Sequence, residues 1–174
     1  MQMSDARQID AAPEVVWAAL LDPEVLKAAV PGCEELTGSP EEGFEAVVVQ
    51  KVGPVKARFT GIVTLADRVE GESLTLAGEG KGGAAGFARG EARVRLEPAE
   101  GGTLLHYKVD AKVGGKLAQL GSRIIDGFAR KMADDFFARF QTAVEGPEAE
   151  EEKQPPEGEA PEKKGWFKRV LGKE

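Results

Sequence analysis

Apolar and polar residues alternate with a period of two over much of the first 114 positions, then recur every three or four residues. The first period is that of half-buried strands, the second that of a helix with one buried face. Residues 3–10 alternate as a first strand. Pro13 then opens a short helix with Val15, Val16, Ala19 and Leu20 facing inward, and Asp22-Pro23 ends it. A second short helix over residues 24–29 stops at Pro31-Gly32. Strands follow over residues 44–51, 55–67, 73–80, 85–97 and 103–113, separated by turn sets such as Gly53-Pro54, Glu70-Gly71-Glu72 and Glu100-Gly101-Gly102. Connections this short join antiparallel neighbours. From Lys116 to about Val144, Leu117, Leu120, Ile124, Phe128, Met132, Phe136 and Phe140 form one helical stripe, which only the sheet remains to cover. The pattern predicts an α+β domain: an antiparallel sheet of six or seven strands on a long C-terminal helix, with two short helices after the first strand.

Strand parity assigns faces. Val55, Ala57, Phe59, Gly61, Val63 and Leu65 share one side of their strand, against Lys56, Arg58, Thr60, Ile62 and Thr64 on the other. The same rule turns Gly86, Ala88, Gly90, Ala92, Val94 and Leu96 inward, with Gly78 and Gly80 beside them. Much of this inner surface has almost no side chain. Protein interiors are close-packed, so the long helix either approaches these residues closely or stands off and leaves an apolar cavity.

Charge divides the chain into a domain over 1–144, an acidic Pro/Glu-rich disordered linker over 145–162, and a basic tip over 163–174. The linker holds eight Glu and one Lys, too polar to offset the entropy of ordering it. In the tip, Trp166, Phe167, Val170 and Leu171 fall on one stripe if it coils, among Lys163, Lys164, Lys168 and Arg169. This composition predicts reversible attachment to an anionic membrane surface. The formal net charge of −7 argues against a nucleic-acid partner, whose binding rests on a basic surface. No apolar run is long enough to span a bilayer, and Asp5 and Arg7 come too early for a signal peptide, so the expected location is cytoplasmic, peripheral on the inner face of the cell membrane.

Reaction chemistry finds little support. The glycines between Gly78 and Gly90 lack the Gly-Lys-Ser/Thr ending of a phosphate-binding loop. His106 is the only histidine and falls on the outer row with Leu104, Lys108 and Asp110. Cys33 is the only cysteine, which excludes an internal disulfide and a multi-cysteine metal site. The carboxylate pairs Glu34-Glu35 and Asp134-Asp135 read as solvated. No catalytic or metal residue is assigned, and the chain is expected not to be an enzyme.

Several ordered runs carry a resemblance across 1–144. They include Asp22-Pro23-Glu24-Val25-Leu26-Lys27 with Pro31-Gly32-Cys33-Glu34, then Lys51-Val52-Gly53-Pro54-Val55-Lys56-Ala57 and Gly78-Glu79-Gly80-Lys81-Gly82-Gly83. Gly86-Phe87-Ala88-Arg89-Gly90, Val113-Gly114-Gly115-Lys116-Leu117-Ala118-Gln119-Leu120-Gly121 and Lys131-Met132-Ala133-Asp134 continue the series. Together they resemble the family of the carbon monoxide dehydrogenase G-type subunit. The resemblance implies the helix-grip fold of the START-like (SRPBCC) superfamily, with a hydrophobic cavity between sheet and helix. It also implies an accessory role: attaching a molybdenum-containing carbon monoxide dehydrogenase, or a related molybdenum hydroxylase, to the membrane and handling quinone for its electrons. No covalent cofactor is expected; the ligand implied is a hydrophobic small molecule, a quinone such as menaquinone or ubiquinone. Phe59, Leu76, Tyr107, Leu120, Ile124 and Phe128 are expected to line the cavity over a floor of Gly86, Ala88 and Gly90, with Gln50 and Tyr107 as partners for a carbonyl. Gly90→Phe is expected to fill the space in a folded domain. The alternative is a recruitment or assembly adaptor for the dehydrogenase or its maturation ATPase, with the cavity filled by side chains.

Overall fold

A computed structural model describes residues 1–153, and side chains through residue 145. Strand β1 (Gln2–Ile9) leads into helices α1 (Pro13–Leu20) and α2 (Pro23–Ala29), then strands β2 (Cys33–Ser39), β3 (Gly43–Val52), β4 (Val55–Val69) and β5 (Ser73–Lys81). A 3-10 turn at Gly83–Ala85 precedes β6 (Phe87–Ala99) and β7 (Gly102–Gly114), and α3 (Lys116–Gln119) precedes α4 (Ser122–Lys153). All strands pair antiparallel in one sheet ordered β1-β7-β6-β5-β4-β3-β2. The two short helices therefore carry the chain between the two edges of the sheet. With the long C-terminal helix this is the helix-grip arrangement expected.

Local chemistry sets the boundaries. Pro13 starts α1, and Asp22 caps α2 by accepting from the Glu24 amide at 2.9 Å. Val52 and Val55 pair directly across Gly53-Pro54, a two-residue hairpin whose first loop residue has φ +57, which glycine adopts freely. Along β4 exposure alternates residue by residue from Val55 to Ala66, as the parity rule requires. Strand β2 has no counterpart in the sequence pattern. It holds one large apolar residue, Leu36, so pairing with β3 rather than burial defines it.

Two helical expectations shift. In α1, Val15 is 48% exposed and Trp17 is buried beside Val16 and Ala19. The stripe expected from Lys116 onward is two helices, parted at Gly121 (φ +90). That left-handed residue resets the helical phase, so Ile125 rather than Ile124 turns inward. The helix also continues past Val144 to Lys153, through Gly146 and Pro147.

The core forms two clusters. The larger joins Ile9, Val16, Trp17, Leu96, Leu105, Tyr107, Phe137 and Phe140; the smaller centres on Val52, Leu117 and Ile125.

Candidate functional site between sheet and helix

Register places the small residues side by side. Ala46 pairs with Gly61, Gly61 with Gly80 and Gly80 with Ala88; one row further on, Gly78 pairs with Gly90 and Gly90 with Ala111. They form a bare band on the inner face running from β3 to β7, about 19 Å at the usual strand spacing. A Cβ built on Gly80 meets nothing nearer than the Thr60 carbonyl oxygen at 4.0 Å. At Gly61 and Gly78 the nearest atoms, at 3.5 and 3.3 Å, also belong to strands, and no atom of α4 lies within 4 Å of a Cβ at any of the three. All three glycines are half-buried. The helix therefore does not pack directly on these three glycines.

The expected lining residues divide between the two ends of the band. Phe59, Leu120 and Phe128 pack around the smaller cluster, with the Phe59 ring against the backbone at Gly82. Leu76 and buried Tyr107 belong to the larger cluster. Ile124 is 40% exposed and lies over the β3–β4 hairpin, 3.3 Å from a Cβ built on Gly53, whereas Ile125 is buried. Ala88 and Gly90 lie in the band. Gly86 stands just before β6, closing the 3-10 turn at φ +112. Gly90 is not a position that a side chain can fill: a Cβ there collides with the Asp110 carbonyl oxygen and approaches Ala111 Cα to 2.8 Å. Gly90→Phe would thus disrupt the β6–β7 pairing, and Gly80 is where added volume enters the gap. Lys163, Lys164, Trp166, Phe167, Lys168, Arg169, Val170 and Leu171 lie outside the described residues.

Polar groups around this space are mostly committed. The Gln50 amide donates to the Pro31 carbonyl at 2.5 Å. The Tyr107 hydroxyl accepts from Arg7 at 3.5 Å, and its ring stacks on Phe137 at 5.2 Å. Arg7 bridges β1 to α4 through Asp134 at 2.6 Å and lies 5.0 Å over the Phe137 ring. Burial opposes its charge, but the hydrogen bonds to Asp134 and Tyr107 outweigh that and hold its pKa above the ordinary value. Trp17 Nε1 differs: it is buried with no hydrogen-bond partner, the only such side-chain atom among the described residues. Sequence periodicity placed Trp17 nowhere, although a tryptophan inside a short apolar helix is a signal in its own right.

The groups set aside for catalysis sit in ordinary structural contacts. Burial raises the Cys33 thiol, whose Sγ lies 3.3 Å from the Glu35 carbonyl, a poor setting for a thiolate. His106 lies on the outer face 2.9 Å from Glu97. Glu34 pairs with Arg58, and Asp135 with Lys131. Among the described residues no cluster of metal-binding side chains occurs, and no helix is long and apolar enough to cross a membrane.

A curved antiparallel sheet gripping a long C-terminal helix, with two short helices after the first strand, defines a START-like helix-grip protein. The family model for the G-type subunit of carbon monoxide dehydrogenase (CoxG) matches residues 6–145, and the chain belongs to that family. A conserved protein of Geobacillus kaustophilus is similar in structure, at 29% identity and a TM-score of 0.77, over 83% of this chain and 95% of that one. Proteins from Rhizobium leguminosarum (16%, TM-score 0.65, 83% and 94%) and Thermus thermophilus (18%, TM-score 0.64, 83% and 97%) share the fold. Among curated proteins none matches the chain.

Proposed function

We propose that this chain is a non-catalytic carrier of an apolar ligand, a respiratory quinone of the menaquinone or ubiquinone type. It serves a molybdenum-containing carbon monoxide dehydrogenase at the inner face of the cell membrane and supports passage of that enzyme's electrons to the quinone pool. The observation that carries the reading is the bare band: three half-buried inner-face glycines whose missing side chains would meet strand atoms but nothing from α4. Such a gap between two apolar clusters loses dispersion contacts unless something fills it, and a flat or chain-like apolar molecule suits a lining of Phe59, Leu76 and Phe128. Family membership supports the link to the dehydrogenase. The basic tip supplies the membrane contact, as Trp166 and Phe167 insert while Lys163, Lys164, Lys168 and Arg169 meet anionic headgroups.

Two measurements test it. Solvent extraction and mass spectrometry of protein purified from its native membranes should return a quinone in near-stoichiometric amount; an empty extract sinks the carrier role. Deleting residues 163–174 should leave ligand retention intact but end cosedimentation with anionic liposomes, and added salt should weaken the attachment of the full chain. Equal sedimentation of the truncated chain would move the membrane contact to the domain.

A further inference from the structure

The outer face of the sheet carries a charge pattern of which its own fold uses only part: Asp110 accepts from Gln2 at 3.4 Å, and Arg89 lies 5.7 Å over the Phe87 ring with Glu79 opposite it on β5. Across β6 and β7 the register sets Arg89 opposite Lys112, Glu91 opposite Asp110, and Arg93 opposite Lys108. Like charges directly opposite one another on an antiparallel pair repel. A two-residue slip in register would have set two of the three against opposite charges, Arg89 against Asp110 and Glu91 against Lys108. Instead the face shows bands of positive, negative and positive charge, about 6.8 Å apart along the strands. Among the described residues none of these six side chains forms an ion pair. Shallow grooves flank the bands, one lined by Ser4 and Thr75 beside Arg93 and Lys108, the other by Ile62 beside Glu91 and Asp110. Ile62 is 56% exposed, an apolar anchor at the margin of the charged strip.

We infer that the outer face of β6–β7 is a docking surface for a folded protein that presents the complementary acidic, basic and acidic bands. A uniformly anionic surface, lipid or nucleic acid, would attract the Arg93–Lys108 band but repel the Glu91–Asp110 band. Only fixed charges of alternating sign satisfy all three. Resting on the function proposed above, the partner is the dehydrogenase, gripped on the side of the sheet away from the ligand gap, so that docking and loading need not compete.

The test uses the full chain, the purified dehydrogenase and Arg93→Glu. This substitution places an opposite charge across from Lys108, so the isolated protein should gain thermal stability while its affinity for the enzyme falls about tenfold. Arg93→Gln should weaken affinity less, and high salt should narrow the differences. Opposite signs in stability and binding separate docking from misfolding. A stabilised Arg93→Glu protein that binds the enzyme as tightly as the parent overturns the docking face and leaves the carrier function standing. If the unaltered chain does not bind the enzyme, both fall. If the variant loses anionic liposomes but keeps the enzyme, the face belongs to lipid. A salt-sensitive self-association abolished by the variant would make the occupant a second copy, and the inference would fail.

Discussion

The two ends of the space under α4 are built very differently. At one end Trp17, Tyr107, Phe136, Phe137 and Phe140 interlock with Ile9, Val16, Leu96 and Leu105, and Phe140 is fully buried. The ring pairs there lie 5.1 to 6.5 Å apart in stacked and edge arrangements, each adding to the stabilisation from burial alone. At the other end the buried cluster is small, formed by Val52, Leu117 and Ile125 beneath a hairpin and beside the break at Gly121. One end fixes the helix to the sheet; the other closes the gap with few contacts. The lesson is that stability and ligand access can be assigned to separate parts of one interface. Arg7 strengthens the fixed end, since it ties β1 to Asp134 one turn before Phe137.

The largest effect should come from unequal truncations. Phe140→Ala, at a fully buried position, should cost about 3–5 kcal/mol, whereas Ile125→Ala should fall near the lower end of the roughly 2–5 kcal/mol range for aliphatic truncations. Urea unfolding of both variants measures the contrast. Equal losses would mean that the two ends are held alike. Between them, Gly80→Leu should fold within about 1–2 kcal/mol of the parent, because its Cβ enters open space. The ligand recovered on extraction should drop to a small fraction. Gly90→Ala, by contrast, should lose about 1–3 kcal/mol by crowding Asp110 and Ala111. If Gly80→Leu retains the full ligand complement, the gap is not where the ligand lies.

Much of this contrast could be read from strand parity. The alternation in residues 55–67 identified the inner row correctly, and Gly78, Gly80 and Gly90 follow from the same rule, because a period of two survives as long as pairing stays in register. Three features could not be read that way. Strand β2 carries Leu36 as its only large apolar residue, so its pairing depends on β3. The phase of α4 was lost at Gly121, where one left-handed residue turned Ile125 inward in place of Ile124. Whether a Cβ at Gly90 meets open space or a neighbouring carbonyl depends on local backbone twist, which residue type does not encode.

Trp17 sharpens the comparison from inside the well-packed end. A buried donor with no partner costs roughly 1–3 kcal/mol relative to one that is satisfied, in a region where everything else is close-packed. Trp17→Phe removes the N–H while keeping an aromatic ring, so the ligand-free protein should change little, the lost indole volume offsetting about 1 kcal/mol of relieved desolvation. Denaturant unfolding of delipidated protein checks this. A several-fold loss of retained quinone in the same variant would show that the ligand's oxygen reaches this end of the space.

The smallest effect lies on the outer side of the same end, where His106 and Glu97 meet over strands β6 and β7. A carboxylate only accepts, so the imidazole carries its proton on Nε2, 2.9 Å from Glu97 Oε1. That hydrogen bond, with Arg95 nearby, holds the Glu97 carboxyl below its ordinary pKa. A depressed carboxyl contributes stability above its unfolded-state pKa and loses it as pH falls through the lower folded-state value. His106→Leu, which has no donor, should therefore move the Glu97 titration upward, read by NMR of its side-chain carboxyl. It should narrow any stability difference from the parent as the solution is acidified below the ordinary carboxylate range. The pair is exposed to solvent, so salt should shrink the effect further. A stability loss that persists unchanged in acid would mean that His106 acts through packing on its outer-face neighbours Leu104 and Arg95, and not through its hydrogen bond to Glu97.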